Sequence, residues 1–262
     1  MTLTEKTIAN LATHLETAEL EARDVTKITD DYPDMDFSDA YAIQFAIREA
    51  KLSRGNQLAG LKMGLTSEAK MNQMGVATPI YGFLMDYMAR HDGQEIRVTD
   101  LIHPKIEPEI AVVTKKEISG SDCSIEEILD GIDFLVPAME VIDSRYRDFK
   151  FDLKSVIADN TSSSRYVTGG KKTEPNGLDL ATLGVVLKKN GEVVATGAGA
   201  AVLGHPAKSV SMLAQMLAER GETIPAGTFI MTGAITEAIM VDAGDNITAD
   251  FQELGSVSIR FV

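Results

Sequence analysis

Three glutamates stand in apolar stretches of the chain, and their spacing indicates a metal site. Glu107 and Glu109 are two residues apart, and Glu140 lies in a second apolar run, 134–142. If both runs form strands, Glu107 and Glu109 project from one face, because side chains two residues apart share a side of a strand. A carboxylate on a buried strand is unfavourable unless it is paired or bound to a cation. Three converging carboxylates would therefore suit a hard divalent ion, Mg²⁺ or Mn²⁺.

The spacing alone leaves another interpretation open. Two glutamates separated by one residue are a common pattern, and they would then be solvated residues on a sheet edge or partners of Lys105. Lys62 raises a related question, because it is the one cation in the apolar run 58–66. A lysine in such a run extends its ammonium to water, pairs with a carboxylate or takes part in chemistry.

The bulk composition limits the class of protein. The chain has 262 residues, of which 44% are hydrophobic, enough for one large domain or a domain with a smaller appendage. A net charge of −14 argues against nucleic-acid binding, which needs a basic face. The single cysteine, Cys123, excludes an internal disulfide and suits a reducing cytoplasm. No apolar run reaches the length of a membrane span, and the polar stretch 1–30 is not typical of a secretory signal.

Amphipathic helices are predicted in the amino-terminal region. Thr2 or Thr4 caps the first helix, which continues to about Leu20, and Ser38 caps a second. A short third helix is predicted over 67–74. These helices form a cap and not the catalytic core.

From about residue 93 onward the composition shifts towards strands and turns. The predicted strands are rich in apolar and β-branched residues and cover 95–98, 109–114, 134–142, 167–169, 183–188 and 192–197. We therefore predict a helical cap region over 1–85, which includes the strand of Lys62, and a catalytic domain over 86–262.

Ordered motifs along the chain resemble those of a known family. They are Lys62-Met-Gly-Leu-Thr, Ile106-Glu-Pro-Glu-Ile-Ala, Met139-Glu-Val-Ile-Asp-Ser-Arg, Ala158-Asp-Asn, Leu203-Gly-His-Pro, Ile230-Met-Thr-Gly and Ala243-Gly-Asp. In this order they resemble the fumarylacetoacetate hydrolase superfamily, and within it the decarboxylases and hydratases of bacterial aromatic meta-cleavage pathways. The motifs extend from Leu58 to the carboxyl terminus, and the amino-terminal helices are also similar to this branch.

The resemblance implies a fold, a metal and partners. It implies an α+β protein with a mixed β-roll core and a small helical amino-terminal cap. It also implies an Mg²⁺ site, with Mn²⁺ as the alternative, held by the residues that match the motif at Glu107, Glu109 and Glu140. A small 2-oxo dicarboxylate substrate, a homo-oligomer and a complex between the decarboxylase and the vinylpyruvate hydratase follow from the same resemblance.

The residue at position 80 separates the two activities of this branch. Members that hydrate 2-hydroxypenta-2,4-dienoate resemble the pattern Gln-Pro-Asp or Gln-Pro-Ser-Phe-Gly in this loop, and the aspartate of the first pattern is a possible proton carrier. An isoleucine, Ile80, cannot carry a proton to or from water. The run 147–153 is also more similar to the decarboxylases. The resemblance therefore implies loss of CO₂ from 2-oxohex-3-enedioate, with hydration of the dienoate as the alternative.

Further residues receive roles in that reaction. Lys62 is the candidate catalytic residue, whose ammonium would assist enolate charge or orient the substrate, and a structural pair with a glutamate is the alternative. Thr232 and Gly233 would donate a hydroxyl and an N–H to the C1 carboxylate unless they form only a turn, and Ser163 would donate to a ligand oxygen unless it lies in a plain loop. Arg145 is a candidate clamp for the departing carboxylate. A tight hold on a charge that disappears would stabilise the ground state, so a structural role for Arg145 is the alternative.

Overall fold

The computed structural model describes residues 2–67, 71 and 78–262. The short helix predicted over 67–74 falls largely outside these residues. Within them, none of the helices combines the length and apolar character needed to cross a membrane.

The helices of the described chain are α1 (Glu5–Leu20), α2 (Phe37–Ser53), α3 (Ile125–Gly131), α4 (Leu153–Ala158) and α5 (Pro206–Ala218). The Thr4 hydroxyl accepts the N–H of Thr7 at the start of α1, which confirms the predicted cap. The prediction for α2 was wrong by two residues: the cap is Asp36 and not Ser38. The Asp36 carboxylate accepts the N–H of Asp39, and the Asp39 carboxylate accepts that of Asp36. This reciprocal pair provides hydrogen-bond acceptors for N–H groups that have no partner within the helix.

The strands form two sheets. In chain order they are β1 (Leu58–Gly64), β2 (Ile80–Met85), β3 (Ala89–His91), β4 (Glu95–Ile96), β5 (Lys105–Thr114), β6 (Ile132–Ile142), β7 (Ser163–Thr168), β8 (Gly184–Lys189), β9 (Glu192–Ala198), β10 (Phe229–Ala234), β11 (Ile239–Met240), β12 (Asn246–Phe251) and β13 (Gly255–Phe261). The large sheet has the order β2-β1-β10-β5-β6-β7-β3, and β11 pairs with β5. The second sheet has the order β4-β13-β12-β8-β9. Each strand predicted from the composition is present, with shifted ends.

Two apolar clusters cover opposite faces of the large sheet. One contains Ile110 of β5 together with residues of the second sheet and of α5. The other contains Ala111 of β5 together with residues of α1, α2 and α4. Because successive side chains in a strand point to opposite faces, Glu107 and Glu109 share the face of Ala111. The glutamates therefore lie on the side of the sheet that the amino-terminal helices cover.

This arrangement confirms the predicted α+β class with a small helical amino-terminal region. β1 and β2 belong to the large sheet, and β1 runs parallel to β10 with Lys62 beside Met231. The strand of Lys62 is thus part of the same sheet as the glutamates. The boundary between 1–85 and 86–262 stays a prediction.

Candidate metal centre

β5 and β6 bring the three glutamates together. The two strands pair antiparallel, with Glu107 opposite Glu140 and Glu109 opposite Ala138. One carboxylate oxygen of each glutamate lies within 4.8 Å of the corresponding oxygens of the other two. The convergence predicted from the strand periodicity is therefore present.

Two buried oxygens of this cluster lack hydrogen-bond donors among the described residues. Glu109 and Glu140 have no exposed surface, and Glu107 is 7% exposed. Glu109 Oε1 and Glu140 Oε1 accept no hydrogen bond from the described residues. A buried carboxylate oxygen without a donor is unfavourable by at least about 1–3 kcal/mol, and a hard divalent cation satisfies such oxygens directly. The three carboxylates therefore fit Mg²⁺ or Mn²⁺.

The cluster carries more negative than positive charge. Burial raises the pKa of Glu109 well above its ordinary value, and the charges of Glu140 and Glu107 raise it further. Burial also raises the pKa of Glu140, although Lys62 opposes the increase. Like charges repel one another strongly where water is excluded. A divalent cation would compensate this excess of negative charge.

A cavity of about 680 Å³ opens beside the glutamates. Lys62 and Glu107 are buried residues of its lining, and Ile80 is part of an apolar wall. Three lysines that are more exposed also line it: Lys27, Lys105 and Lys150. Apolar walls combined with a few polar groups are typical of small-molecule sites. Ile80, which separates the two predicted activities, therefore faces the space that a substrate would occupy.

Lys62 is paired and also faces the cavity. Its ammonium nitrogen lies 2.7 Å from Glu140 Oε2 and donates to the carbonyl oxygen of Thr161 at 3.1 Å. Burial lowers the pKa of Lys62, but the nearby carboxylates, Glu140 first and then Glu109 and Glu107, outweigh burial and raise it. The side chain therefore holds a positive charge next to the glutamates. Its two predicted roles, pairing and chemistry, are compatible in this geometry.

Thr232 and Gly233, near the end of β10, hold one glutamate in place. The Gly233 N–H donates to Glu109 Oε2 at 2.7 Å, and the Thr232 hydroxyl donates to the carbonyl oxygen of Ile110 at 2.7 Å. Each group has one hydrogen to donate, so neither remains for the predicted contact with a substrate carboxylate. The geometry therefore favours a positioning role for both residues.

Replacement of Gly233 by alanine should disrupt the metal centre. Gly233 has a φ of +115°, which residues with side chains rarely adopt, and an added Cβ would overlap Thr66 Oγ1. We expect the free energy of unfolding to fall by about 2–4 kcal/mol. Mn²⁺ binding should weaken as well, because the N–H that orients Glu109 would shift. Urea unfolding and calorimetric titration with Mn²⁺ measure the two effects.

Gly120→Ala is the matched control for this variant. Gly120 has a nearly identical φ of +114°, but an added Cβ there meets no atom of the described chain within 4 Å. We expect the control to show the cost of backbone strain and unchanged Mn²⁺ affinity. Equal losses of stability and of Mn²⁺ affinity in the two variants would contradict the positioning role of Gly233.

Arg145 and Ser163 are engaged with their neighbours. Arg145 is buried, forms an ion pair with Asp159, and donates to the carbonyl oxygens of Asp143 at 2.8 Å and Ser163 at 3.0 Å. These contacts support the structural alternative for Arg145, since breaking a buried pair costs about 3–5 kcal/mol. The buried Ser163 hydroxyl donates to the sulfur of Met88 at 3.9 Å. The role of Ser163 as a donor to a ligand oxygen stays a prediction.

Two residues that the sequence did not single out line the cavity, Thr161 and Ser162. Both are buried, and neither hydroxyl has a hydrogen-bond partner within the described part of the chain. Asn160, Thr161 and Ser162 have φ values of 48°, 54° and 57°, a left-handed conformation that is rare without glycine and clusters at functional sites. The polar run that begins at Asp159 was a signal for this segment. The placement of Thr161 and Ser162 at the cavity depends on the left-handed turn, which their residue types do not specify.

Comparisons with known proteins extend this description over the whole chain. The model of the fumarylacetoacetate (FAA) hydrolase C-terminal family matches residues 63–262. A 4-oxalocrotonate decarboxylase of Pseudomonas putida is 61% identical over 261 residues, which cover 100% of this chain and 99% of that protein. A solved structure of 4-oxalocrotonate decarboxylase from Pseudomonas putida G7, complexed with magnesium and adipate, has a TM-score of 0.98 at 59% identity and covers 100% of this chain and 99% of its own. A 2-keto-4-pentenoate hydratase of Paraburkholderia xenovorans (strain LB400) is 37% identical over 237 residues, 90% of this chain and 88% of the hydratase.

Proposed function

The chain belongs to the fumarylacetoacetate hydrolase family, and we propose that it is a metal-dependent decarboxylase of 4-oxalocrotonate (2-oxohex-3-enedioate). The products would be CO₂ and 2-hydroxypenta-2,4-dienoate, in the meta-cleavage catabolism of aromatic compounds. The observation that carries the proposal is the buried cluster of Glu107, Glu109 and Glu140 beside a cavity that Glu107 lines together with Lys62 and Lys105. Full-length similarity to 4-oxalocrotonate decarboxylases supports it. The complex of one relative with adipate, a dicarboxylate of the same chain length, supports the substrate class.

Loss of CO₂ from this substrate moves electrons through a conjugated chain. The C5–C6 bond breaks, and its electron pair forms a C4–C5 double bond. The C3–C4 pair moves to C2–C3, and the carbonyl pair moves onto the C2 oxygen, so negative charge develops there. The reaction needs no covalent nucleophile; it needs positive charge near the C2 oxygen before the bond breaks.

The residues of the buried end supply the binding and the charge. When held by Glu107, Glu109 and Glu140, Mg²⁺ supplies Lewis-acid polarisation of the substrate carbonyl. The buried Lys62 ammonium places a second positive charge in the cavity lining, where screening by solvent is weaker than at the surface. The carbonyl oxygen of Thr161, a residue that lines the cavity, accepts a hydrogen bond from the Lys62 ammonium and orients it.

Hydration of 2-hydroxypenta-2,4-dienoate is the second candidate, because a hydratase shares 37% identity with the chain. Addition of water requires a group that moves a proton to or from it. One pattern of the hydrating members has an aspartate at the position of Ile80. Ile80 lines this cavity and is 4% exposed. Leu65 and Val156 also line the cavity. This apolar wall favours decarboxylation over hydration.

Assays on protein freed of any hydratase distinguish the two activities. With Mg²⁺ and 2-oxohex-3-enedioate, we expect CO₂ and the dienoate in equal amounts, and no 4-hydroxy-2-oxopentanoate. EDTA should stop CO₂ release, and added Mg²⁺ should restore it. Protein that releases no CO₂ would contradict the proposal. Consumption of 2-hydroxypenta-2,4-dienoate, offered as the only substrate, would instead establish the hydratase.

Assembly and location belong to the same proposal. We expect a homo-oligomer that acts in the cytoplasm and binds the vinylpyruvate hydratase, because the dienoate released by one enzyme is the substrate of the other. Light scattering of the purified protein, with and without the hydratase, tests both interactions. A monomeric mass in both samples would contradict them.

A further inference from the structure

We propose that Lys105 binds the second carboxylate of the substrate, the one lost as CO₂, and thereby selects dicarboxylates. This inference rests on the proposed function and adds the residue that recognises the far end of the substrate. 4-Oxalocrotonate carries a carboxylate at each end, whereas the dienoate used by hydratases carries one. The glutamate cluster and Lys62 account for one end only. Discrimination between the two substrates therefore needs a cation at the other end.

The register of β5 directs Lys105 towards the cavity. Lys105 is the first residue of the strand and is paired on both sides, with Ile142 of β6 and Met240 of β11. It lies two residues before Glu107, so the two side chains leave the same face of the sheet, about 7 Å apart along the strand. This spacing is close to the length of extended 4-oxalocrotonate. Both residues line the cavity, so a substrate bound at the glutamates can extend towards the ammonium.

Phe149 positions the Lys105 ammonium without neutralising it. Lys105 Nζ lies 4.2 Å from the centre of the Phe149 ring, which also packs against His103. Within the described part of the chain, Lys105 forms no ion pair with a carboxylate. Asp148 and Phe149 have φ values of 56° and 54°, so a strained turn presents the ring to the lysine. The run 147–153, which resembled the decarboxylases in sequence, is thus the segment that holds this cation in place.

The other two of the more exposed lysines in the cavity lining already have carboxylate partners. Lys27 Nζ lies 3.3 Å from Asp30 and 3.5 Å from Asp152. Lys150 Nζ lies 3.4 Å from Asp148, and its side chain is 82% exposed. A substrate carboxylate would have to displace these partners, whereas at Lys105 it replaces only water and a weak cation–π contact.

Lys105 acts on binding and not on bond cleavage. A cation that holds the leaving carboxylate stabilises the bound substrate, but it loses that partner as neutral CO₂ forms. Removing the charge should therefore raise KM for 4-oxalocrotonate and leave kcat unchanged or higher, because the contact weakens as the charge of the carboxylate disappears.

Two unreactive analogues test the proposal without turnover. 2-Oxohexanedioate and 2-oxohexanoate share the 2-oxo acid end and differ in the second carboxylate, and neither has the double bond through which CO₂ is lost. By calorimetry with Mg²⁺ present, the native protein should bind the diacid at least about tenfold more tightly. Lys105→Met should bring the ratio of the two affinities close to one. Lys105→Arg changes the same position but keeps the charge, so it should retain most of the preference. This result would show that the loss in Lys105→Met does not come from a folding defect.

Lys172→Met is the matched control. Lys172 Nζ lies 4.4 Å from the centre of the Phe134 ring, outside the cavity lining, so its loss removes the same charge and the same kind of contact elsewhere. Lys150→Met tests whether the preference for the diacid comes from the positive charge of any lysine in the cavity lining. An unchanged preference in Lys105→Met, or an equal loss in either control, would overturn the proposal. Protein that prefers the diacid but releases no CO₂ would contradict the proposed function and leave the Lys105 site standing.

Discussion

Replacing Glu109 by glutamine is expected to abolish metal-dependent decarboxylation and to leave the fold intact. Glutamine keeps the size of the side chain and an acceptor oxygen for the Gly233 N–H, but it removes one of three converging negative charges. Mg²⁺ depends on charged oxygen ligands, so its affinity should fall more than about 100-fold. The turnover that depends on the metal should fall about 10³-fold or more, since Lewis-acid stabilisation contributes several kcal/mol.

The metal-free variant should be at least as stable as the native protein. Burial and the charges of Glu140 and Glu107 raise the pKa of Glu109, which means that the ionised carboxylate is destabilising there. An uncharged amide removes this repulsion and can donate to a neighbouring carboxylate oxygen. Mg²⁺ at 100 times its Kd should stabilise the native protein by about 2.7 kcal/mol. That increment should disappear in Glu109→Gln. The variant should therefore be at least as stable as the native protein without Mg²⁺ and less stable than the native protein with Mg²⁺.

Thermal unfolding with and without Mg²⁺, together with Mn²⁺ titration followed by electron paramagnetic resonance, measures these effects. Glu237→Gln is the control, because Glu237 is an exposed carboxylate that lines the cavity outside the cluster. The control should keep both the Mn²⁺ affinity and the stabilisation by Mg²⁺. Native Mn²⁺ affinity in Glu109→Gln would contradict the assignment of the metal ligands.

The glutamate cluster was predictable because it depends on local strand periodicity. Glu107 and Glu109 share a face in any strand, whatever its neighbours, and the apolar run around Glu140 marks a second buried strand. The pairing of Glu107 with Glu140 is a matter of register between two strands. Strand periodicity does not specify this register, because both faces of the large sheet are buried and a shift by one residue would leave the apolar side chains covered.

The partners of polar donors were less predictable, because they come from distant segments. The Gly233 N–H donates to Glu109, 124 residues away in sequence, and nothing local to Gly233 indicates whether its N–H meets protein or substrate. The same holds for Thr232, whose hydroxyl meets a carbonyl oxygen of β5. The placement of Thr161 and Ser162 at the cavity depends on a left-handed backbone that tertiary contacts impose on residues without a preference for it.

Replacing Lys62 by methionine should lower kcat by about 10²–10³-fold, the usual cost of removing one group that stabilises developing charge. Methionine keeps the unbranched apolar part of the side chain and removes the ammonium that lies 2.7 Å from Glu140. The expected loss applies to protein saturated with Mg²⁺. Single-turnover measurements of CO₂ release at saturating substrate report the chemical step directly.

Saturation with Mg²⁺ separates the two roles of Lys62, because they respond to the metal in opposite ways. As a structural partner, Lys62 compensates the buried charge of Glu140, so the metal-free variant should be less stable by about 3–5 kcal/mol. A divalent cation at the same carboxylates restores that compensation, and the variant should bind Mg²⁺ at least as tightly as the native protein. As a catalytic group, Lys62 places positive charge near the C2 oxygen. Bound Mg²⁺ lies at a different position and does not replace the charge of the ammonium. A purely structural lysine therefore predicts native kcat once the metal is bound, and a catalytic lysine predicts that the loss persists.

Lys51→Met is the matched control for this experiment. Lys51 is a second buried lysine paired with a glutamate, 2.7 Å from Glu19, and it lies between α2 and α1, outside the cavity lining. Its loss should destabilise the protein to a similar degree, and Mg²⁺ should not restore the pair because the metal ligands are elsewhere. Below its melting temperature, Lys51→Met should keep native kcat, so a fall in kcat confined to Lys62→Met reflects the position of the charge. Native kcat in Lys62→Met at saturating Mg²⁺ would leave Lys62 with only a structural role.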